Sequence, residues 1–392
     1  MISLEEAIAR VLGSADNLLN EQVLLLDSLD RILAKNVFAD VDMPPFDKSA
    51  MDGYACRRAD LTNILEVIEI IPAGAFPQKT IEKNQCAKIM TGAPVPMGAD
   101  CVIKVEETEI IGDHKISFKG SQTNNNICYR AEDVTKGEAI VLKGTHLQPR
   151  HIALLASLGC THPWVSKLPR VVVFSTGDEL VEPDVIPSVS QIRNSNAYQI
   201  IAQMQQIGIK ANNGGIIRDD VEVTEKTIRE ALGCYDIIIL SGGVSMGDFD
   251  FIPSVLKEIG FNQLFDSIAI QPGKPTTFWK TQSTWCFGLP GNPVSSLVQT
   301  ELLVKPFILK LMGCEKPMPP TFQLPMKKDF SIRKRERKSL IPILIDETGR
   351  VVPVEYHGSA HIAALLQAQG LMMVDENTTF ISKESLVNVR LI

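Results

Sequence analysis

Three glycine-rich turns, each set where an apolar run ends, carry the most legible chemistry of this 392-residue chain. They read VVVFSTGDEL (171–180), IIILSGGVSMGDFDF (237–251) and WCFGLPGNPVSS (285–296). Glycine permits φ above zero and close backbone approach, and N–H groups exposed beyond a strand's carboxyl end attract anions. Gly242, Gly243 and Gly291 therefore suit contact with a phosphate-bearing ligand. Pro290 and Pro293 restrict the backbone around Gly291 and Asn292 through their fixed φ, and Ser245 adds a hydroxyl. Each glycine taken singly is equally a tight strand-to-helix turn. Three such turns in one region point to a binding site.

The elements that must hold these turns alternate. Each turn has a helical pattern downstream, so residues 170–313 read as strand and helix in alternation around a parallel sheet. Ala197, Ile200, Ile201, Met204 and Ile207 form one helical stripe behind the cap candidates Asn194, Ser195 and Asn196. Asp219 and Asp220 precede a second helix, and 237–240 is a buried-type strand. Before this region, short strand-like runs at Leu65–Ile71, 86–90, 101–106 and 139–142 are separated by Gly, Pro and Asn turns. Helical stretches at 1–12 and 150–158 bracket them and offer faces that could pack together. After Gly313, CEKPMPP breaks helix, and strands return near 339–345, 350–354 and 387–391. The expected fold is multidomain α/β: a central doubly wound, mainly parallel sheet domain, an elongated mixed α+β N-terminal region and a small β-rich C-terminal domain. The expected boundaries are 1–42 with 140–168, an inserted lobe at 43–139, the α/β domain at 169–315 and the β-rich domain at 316–392.

Composition narrows the function class. A chain with 45% hydrophobic residues can bury several cores, and a formal charge of −7 argues against a mainly electrostatic nucleic-acid binder. The opening MISLEEAIARVLG is amphipathic and acidic rather than a signal sequence, and no apolar run reaches membrane-spanning length. Eight scattered cysteines without a CxxC pair fit reduced, packed thiols. The expectation is a cytoplasmic protein with no nucleic-acid or membrane partner. His357 and His361 have i,i+4 spacing, but no third ligand completes a zinc motif.

The ordered set MPPFDKSAMDGYA (43–55), IMTGAPVP, FSTGDEL, IIRDD, SGGVSMGDFDF, PGKP and GLPGNPVSS resembles the MoeA-type molybdopterin molybdenumtransferase family, whose fold is shared with the gephyrin E domain. The resemblance runs the whole length of the chain, whereas a MogA-type adenylyltransferase would account for the central domain alone. It implies insertion of molybdate into adenylated molybdopterin with Mg²⁺-dependent cleavage and release of AMP. It also implies a homodimer in which the N-terminal lobe meets the partner's central domain, and a MogA-type adenylyltransferase as a further partner. Such a site needs an anion cradle, a divalent cation and a path for water to phosphorus. Glu179, Asp219 and Asp250 sit at loop and helix starts and supply the carboxylates; Mg²⁺ takes one or two of these plus water and phosphate oxygens. Asp219 reads equally as a helix cap, and Asp250 also as a turn residue. Asp52 and Thr91 match functional positions of the family, and Arg130 and Asp133 match its less perfectly retained NICYRAEDV stretch. Ser359 matches the tail's HGS pattern and Lys274 the lysine of PGKP.

Two departures stand out. The family commonly carries basic residues where this chain has Ser267 and Gln271, and neutral hydrogen bonds are weaker than charge-assisted ones. Arg193, Lys274 and the tail run RKRERK (333–338) are the cations available to compensate, the run also reading as a solvated edge or loop. A non-catalytic molybdopterin-binding scaffold and a MogA-like adenylyltransferase remain the alternative readings.

Overall fold

The computed structural model describes residues 1–244, 251–333, 336–355 and 358–392. The chain divides into two compact units: Met1–Lys35, Lys143–Ile152 and His162–Ile392 form one, and Asn36–Leu142 with Ala153–Thr161 form the other.

The larger unit is organised by a six-stranded sheet in the order Asn212–Ile217, Val171–Thr176, Ile237–Ser241, Trp285–Leu289, Thr277–Lys280, Asn262–Phe265. Its first four strands are parallel, Thr277–Lys280 runs against them, and Asn262–Phe265 pairs antiparallel with Thr277–Lys280, which gives the mainly parallel, doubly wound sheet that the alternating pattern predicts. The apolar strands Val171–Thr176 and Ile237–Ser241 are buried along their whole length, and successive side chains enter different cores. Val171, Val173, Ile237 and Ile239 pack with Ala197, Ile200 and Met204 of the helix Asn196–Gln205 and with Phe307 and Ile308 of Lys305–Leu311. Val172, Phe174, Ile238 and Leu240 face the other way, onto Ile228 and Ala231 of Val221–Leu232 and Val255 and Leu256 of Ile252–Ile259.

The helix Leu4–Gly13 begins at Ser3, whose hydroxyl accepts from the Glu6 N–H at 3.1 Å. Its buried Leu4, Ala7 and Val11 join the first of these cores, and it packs against Lys305–Leu311. The suggested pairing of the two bracketing helices gives way to this: the second, Pro149–Ser157, spans the boundary between units, and its Leu154 packs with Leu158, Ala39 and Val134. An apolar stripe selects a partner by shape, and two stripes distant in sequence do not identify each other. The tail forms a sheet ordered Ile270–Gln271, Lys338–Ile345, Gly370–Val374, Leu386–Leu391, Phe322–Pro325.

The smaller unit is built on a mixed six-stranded sheet ordered Cys101–Lys104, Gly53–Cys56, Gln85–Ile89, Leu65–Ile71, Lys115–Phe118, Thr108–Gly112. Gly53 is obligatory there, because a Cβ at that position would collide with the carbonyl oxygen of Ile103 on the neighbouring strand. All eight thiols are free, five of them buried, in keeping with a reduced set of packed cysteines. Among the described residues no helix is long and apolar enough to cross a membrane.

Candidate functional site

In the sheet of the larger unit, the strand after Val171–Thr176 lies on one side of it and the next, Ile237–Ser241, on the other. Loops leaving the carboxyl ends of two such strands diverge and open a crevice. A cleft of about 640 Å³ lies there. It is lined by Ser175, Thr176 and Glu179 from the first strand and its loop, by Ser241, Gly242 and Gly243 from the second, and by Gly291, Asn292 and Pro293 from the third. Arg193, Asn194 and Asn196 line it from the start of the helix Asn196–Gln205, and Ala360 and Ile362 from the tail.

Positive φ values of 97° at Gly242 and 61° at Gly243 explain why this turn is glycine. Pro290, which precedes the lining residue Gly291, is buried. Asn292 is held from the tail, its Nδ2 donating to Ser359 Oγ at 2.9 Å while the Val294 N–H donates to the Ser359 carbonyl at 3.1 Å. Ser359 thus braces the proline-rich loop, just ahead of a short 3-10 turn at Ile362–Leu366. His361 precedes that turn, and His357 lies outside the described residues, as do Ser245 and Asp250.

Glu179 is exposed, with its carboxylate folded back over the Cα of Gly177. Asp219 is exposed in the loop after Asn212–Ile217 and exchanges contacts with Asp178: each backbone N–H donates to the other's carboxylate at 3.4 Å. The helix cap is instead Asp220, whose Oδ1 accepts from the Val223 N–H at 2.8 Å. Arg218 ties the same loops by donating to the Asp178 carbonyl at 2.9 Å. Among the described residues, no three His, Cys, Asp or Glu side chains converge as a complete metal shell. Two neighbouring loops presenting hard carboxylate oxygens fit the partial protein shell that Mg²⁺ accepts when water and phosphate complete it.

Lys274 is exposed on the loop after Ile270–Gln271, and its ammonium has no partner among the described residues. It is not among the residues lining the cleft; Arg193 is the cation there, with Nε donating to the Val185 carbonyl at 3.1 Å. Ser267 is committed to an acidic neighbour, its hydroxyl donating to Asp266 at 2.7 Å. In the basic tail run, Arg337 donates to the Ile270 carbonyl at 3.2 Å and Lys338 pairs with Glu5 and Asp375, while Lys334 and Arg335 lie outside the described residues.

The smaller unit joins Asp52 and Thr91 directly. Asp52 Oδ1 accepts from the Thr91 N–H at 2.6 Å and from its hydroxyl at 2.7 Å, and these bonds, the hydroxyl's first, hold the Asp52 carboxyl below its ordinary range. Both residues are exposed at strand ends. Arg130 borders a separate cleft of about 530 Å³ together with Phe46, Phe76 and Met97. Its guanidinium grips Asp42 at 2.6 Å, and Asp42 is held below the usual carboxylate range by the Lys136 N–H and then by Arg130. Asp133 is exposed, with its N–H on the Met43 carbonyl at 3.0 Å.

A buried polar network that no sequence motif announces runs along the lining of the larger cleft. Ser175 Oγ donates to Asn194 Oδ1 at 2.7 Å, and Asn196 Nδ2 donates to Ser241 Oγ at 2.8 Å and to the Gly291 carbonyl at 2.7 Å. A signal was present: Ser175, Thr176 and Ser241 are polar residues ending otherwise apolar strands, a position with no packing reason for them.

Known proteins match the chain end to end. Residues 2–159 match the MoeA N-terminal region (domain I and II), 172–310 a probable molybdopterin binding domain, and 324–392 the MoeA C-terminal region (domain IV). The molybdopterin molybdenumtransferase of Staphylococcus epidermidis is 34% identical over 400 residues, covering 99% of this chain and 95% of that protein. Its namesake in Bacillus subtilis (strain 168) is 33% identical over 404 residues, covering 100% and 94%. The solved molybdopterin biosynthesis moeA protein from Pyrococcus horikoshii OT3 superposes with a TM-score of 0.83 at 26% identity, with both chains covered in full. Similar along its whole length to proteins of one name and one architecture, this chain belongs to the MoeA family.

Proposed function

We propose that this chain inserts molybdate into adenylated molybdopterin, cleaving the adenylate and releasing AMP, as a step of molybdenum cofactor biosynthesis. The observation that carries the reading is the cleft at the strand ends, which the Gly242–Gly243 turn, the Gly291 to Pro293 loop, Glu179 and Arg193 line together. Backbone N–H groups of glycine turns stabilise phosphate charge, although that of Gly242 itself donates to the Leu289 carbonyl at 3.0 Å, and fixed loops supply orientation.

In this reading Gly242, Gly243 and Ser245 cradle phosphate oxygens, the Pro290 to Pro293 loop braced by Ser359 holds the dithiolene-bearing ligand, and Lys274 attracts anionic oxygen. Glu179 and Asp219, with Asp250, would hold Mg²⁺, which when bound offsets charge at the phosphoanhydride. Asp52 and Thr91, kept as an ionised carboxylate and its two donors, complete the site from the partner subunit of a homodimer, with Arg130 and Asp133 on the same lobe. The protein works in the cytoplasm and takes its substrate from a MogA-type adenylyltransferase. We further infer the four-part division that the sequence suggests, 1–42 with 140–168, 43–139, 169–315 and 316–392.

The test is to supply purified protein with adenylated molybdopterin, Mg²⁺ and molybdate and to follow AMP. Molybdate-dependent release is expected, and its absence overturns the reading. The commitment of Ser267 to Asp266 favours a second reading, a molybdopterin-binding scaffold, which predicts tight ligand binding without turnover. Consumption of ATP to adenylate molybdopterin would instead mark a MogA-like activity.

A further inference from the structure

The larger cleft contains two buried polar atoms that nothing described in the chain satisfies. Thr176 is 7% exposed and Asn196 8%, both line the cleft, and Thr176 Oγ1 and Asn196 Oδ1 have no hydrogen-bond partner among the described residues. A buried, unmet polar group is costly to keep, so two at one cavity need a reason.

Their chemistry differs from that of the cleft mouth. The Asn196 amide is fixed in orientation, because its Nδ2 donates to a backbone carbonyl, that of Gly291, as well as to Ser241 Oγ. Its Oδ1 is therefore left as an acceptor only. Thr176 Oγ1 lies against Gly242 and Gly243, where an added Cβ would come within 3.0 Å and 2.7 Å of it, so side chains there would crowd the hydroxyl. An oxyanion has no proton to give a carbonyl oxygen and is repelled by it. Arg193, whose Nε donates to the Val185 carbonyl, offers the opposite polarity within the same cleft.

We propose that Thr176 and Asn196 form the specificity-determining floor of this cleft, reading the N–H-bearing edge of a neutral planar heterocycle, the 2-amino-4-oxopyrimidine edge of a pterin, while the ligand's anionic part stays on the Arg193 side. The proposal rests on the molybdopterin reading above and adds the direction in which the ligand enters. Asn196 also ties the strand end at Ser241 to the loop at Gly291, so ligand contact with its oxygen bears on both walls of the cleft.

Thr176→Val separates recognition from folding. Valine keeps the shape and removes the unmet hydroxyl, so the urea midpoint should hold or rise. Binding is measured by fluorescence titration of the full chain with pterin (2-amino-4-oxopteridine), with lumazine (2,4-dioxopteridine, which lacks the amino donor) and with AMP. The wild-type chain should prefer pterin over lumazine by roughly tenfold, and Thr176→Val should lose most of that preference. Thr176→Ser should retain it, and AMP should bind all three chains alike. Equal affinity of the wild-type chain for the two pteridines, no binding of either, or an unchanged preference in folded Thr176→Val would overturn the proposal. AMP release by the wild-type chain is scored separately. Turnover without pteridine discrimination sinks the floor alone, and discrimination without turnover sinks the transferase reading alone.

Discussion

The two groups of candidate residues are held by different means. In the larger unit the cleft stands at the ends of strands buried on both faces, and its polar side chains are locked beneath it by Asn194, Asn196 and Ser241. In the smaller unit the Asp52 and Thr91 pair is exposed, held by two hydrogen bonds at the ends of strands that meet through Gly53. The first arrangement is preorganised by a core, the second by backbone register. Damage should therefore spread differently: a change in the register of the smaller sheet removes its pair altogether, whereas single polar changes in the cleft should alter chemistry before stability.

The largest effect is expected from Gly53→Ala. Its Cβ has no space beside the Ile103 carbonyl, so the strands must separate. A loss on the order of 3 kcal/mol or more in urea unfolding is expected. A variant of wild-type stability would show that register is not what holds Asp52.

Glu179→Gln tests the cleft by the opposite criterion. Its exposed carboxylate supports no core, so the urea midpoint should stay within about 0.5 kcal/mol of wild type. AMP release should fall roughly 100-fold, the scale of a lost electrostatic contact to developing charge. Equal activity at limiting Mg²⁺ would remove Glu179 from the cation's shell.

Mixing the two damaged regions asks whether they serve one site across two chains. Asp52→Ala and Glu179→Ala should each be inactive, while mixed dimers carry one intact site in two and so recover up to about half of wild-type activity per mixed dimer. Confirmed mixed dimers without recovery would place both groups in the same chain.

The smallest effect concerns protonation. Thr91→Val removes the hydroxyl that contributes most to holding the Asp52 carboxyl low, so its titration, followed by carboxyl NMR, should move up toward the ordinary aspartate value. The sign for stability follows. A depressed folded-state value contributes stability above the unfolded pKa and loses it as pH falls through the lower folded one, so wild type and variant should diverge at neutral pH and converge in acid. An unmoved titration would assign the depression to the Thr91 N–H alone.

How much of this was legible depends on which interactions decide each feature. The strand Leu65–Ile71 and the alternation around 171–313 follow from local periodicity, which a sequence displays openly. The glycine turns were legible because φ above zero leaves few residue choices. The cap on Val221–Leu232 was ambiguous between Asp219 and Asp220, since two adjacent aspartates satisfy the same preference and only the φ and ψ of the entering chain choose between them. The docking of Leu4–Gly13 on Lys305–Leu311, and the bonds from Asn196 to Ser241 and Gly291, join residues separated by 45 to about 300 positions, where no local pattern records the partner. Lys274 was placed by motif alone, and among the described residues it does not line the cleft, whereas Arg193 does.

The two-sided burial of Val171–Thr176 and Ile237–Ser241 has a consequence for how this protein can change over time. Every apolar side chain of these strands touches one core or the other, so those positions accept little beyond volume-neutral exchange. The turns at their ends line the cleft, and loops of this kind tolerate change better than the elements they join. Innovation and stability are thereby assigned to different parts of the chain, and a lineage selecting a new oxyanion or a new heterocycle could rewrite the turns while its scaffold stood unchanged.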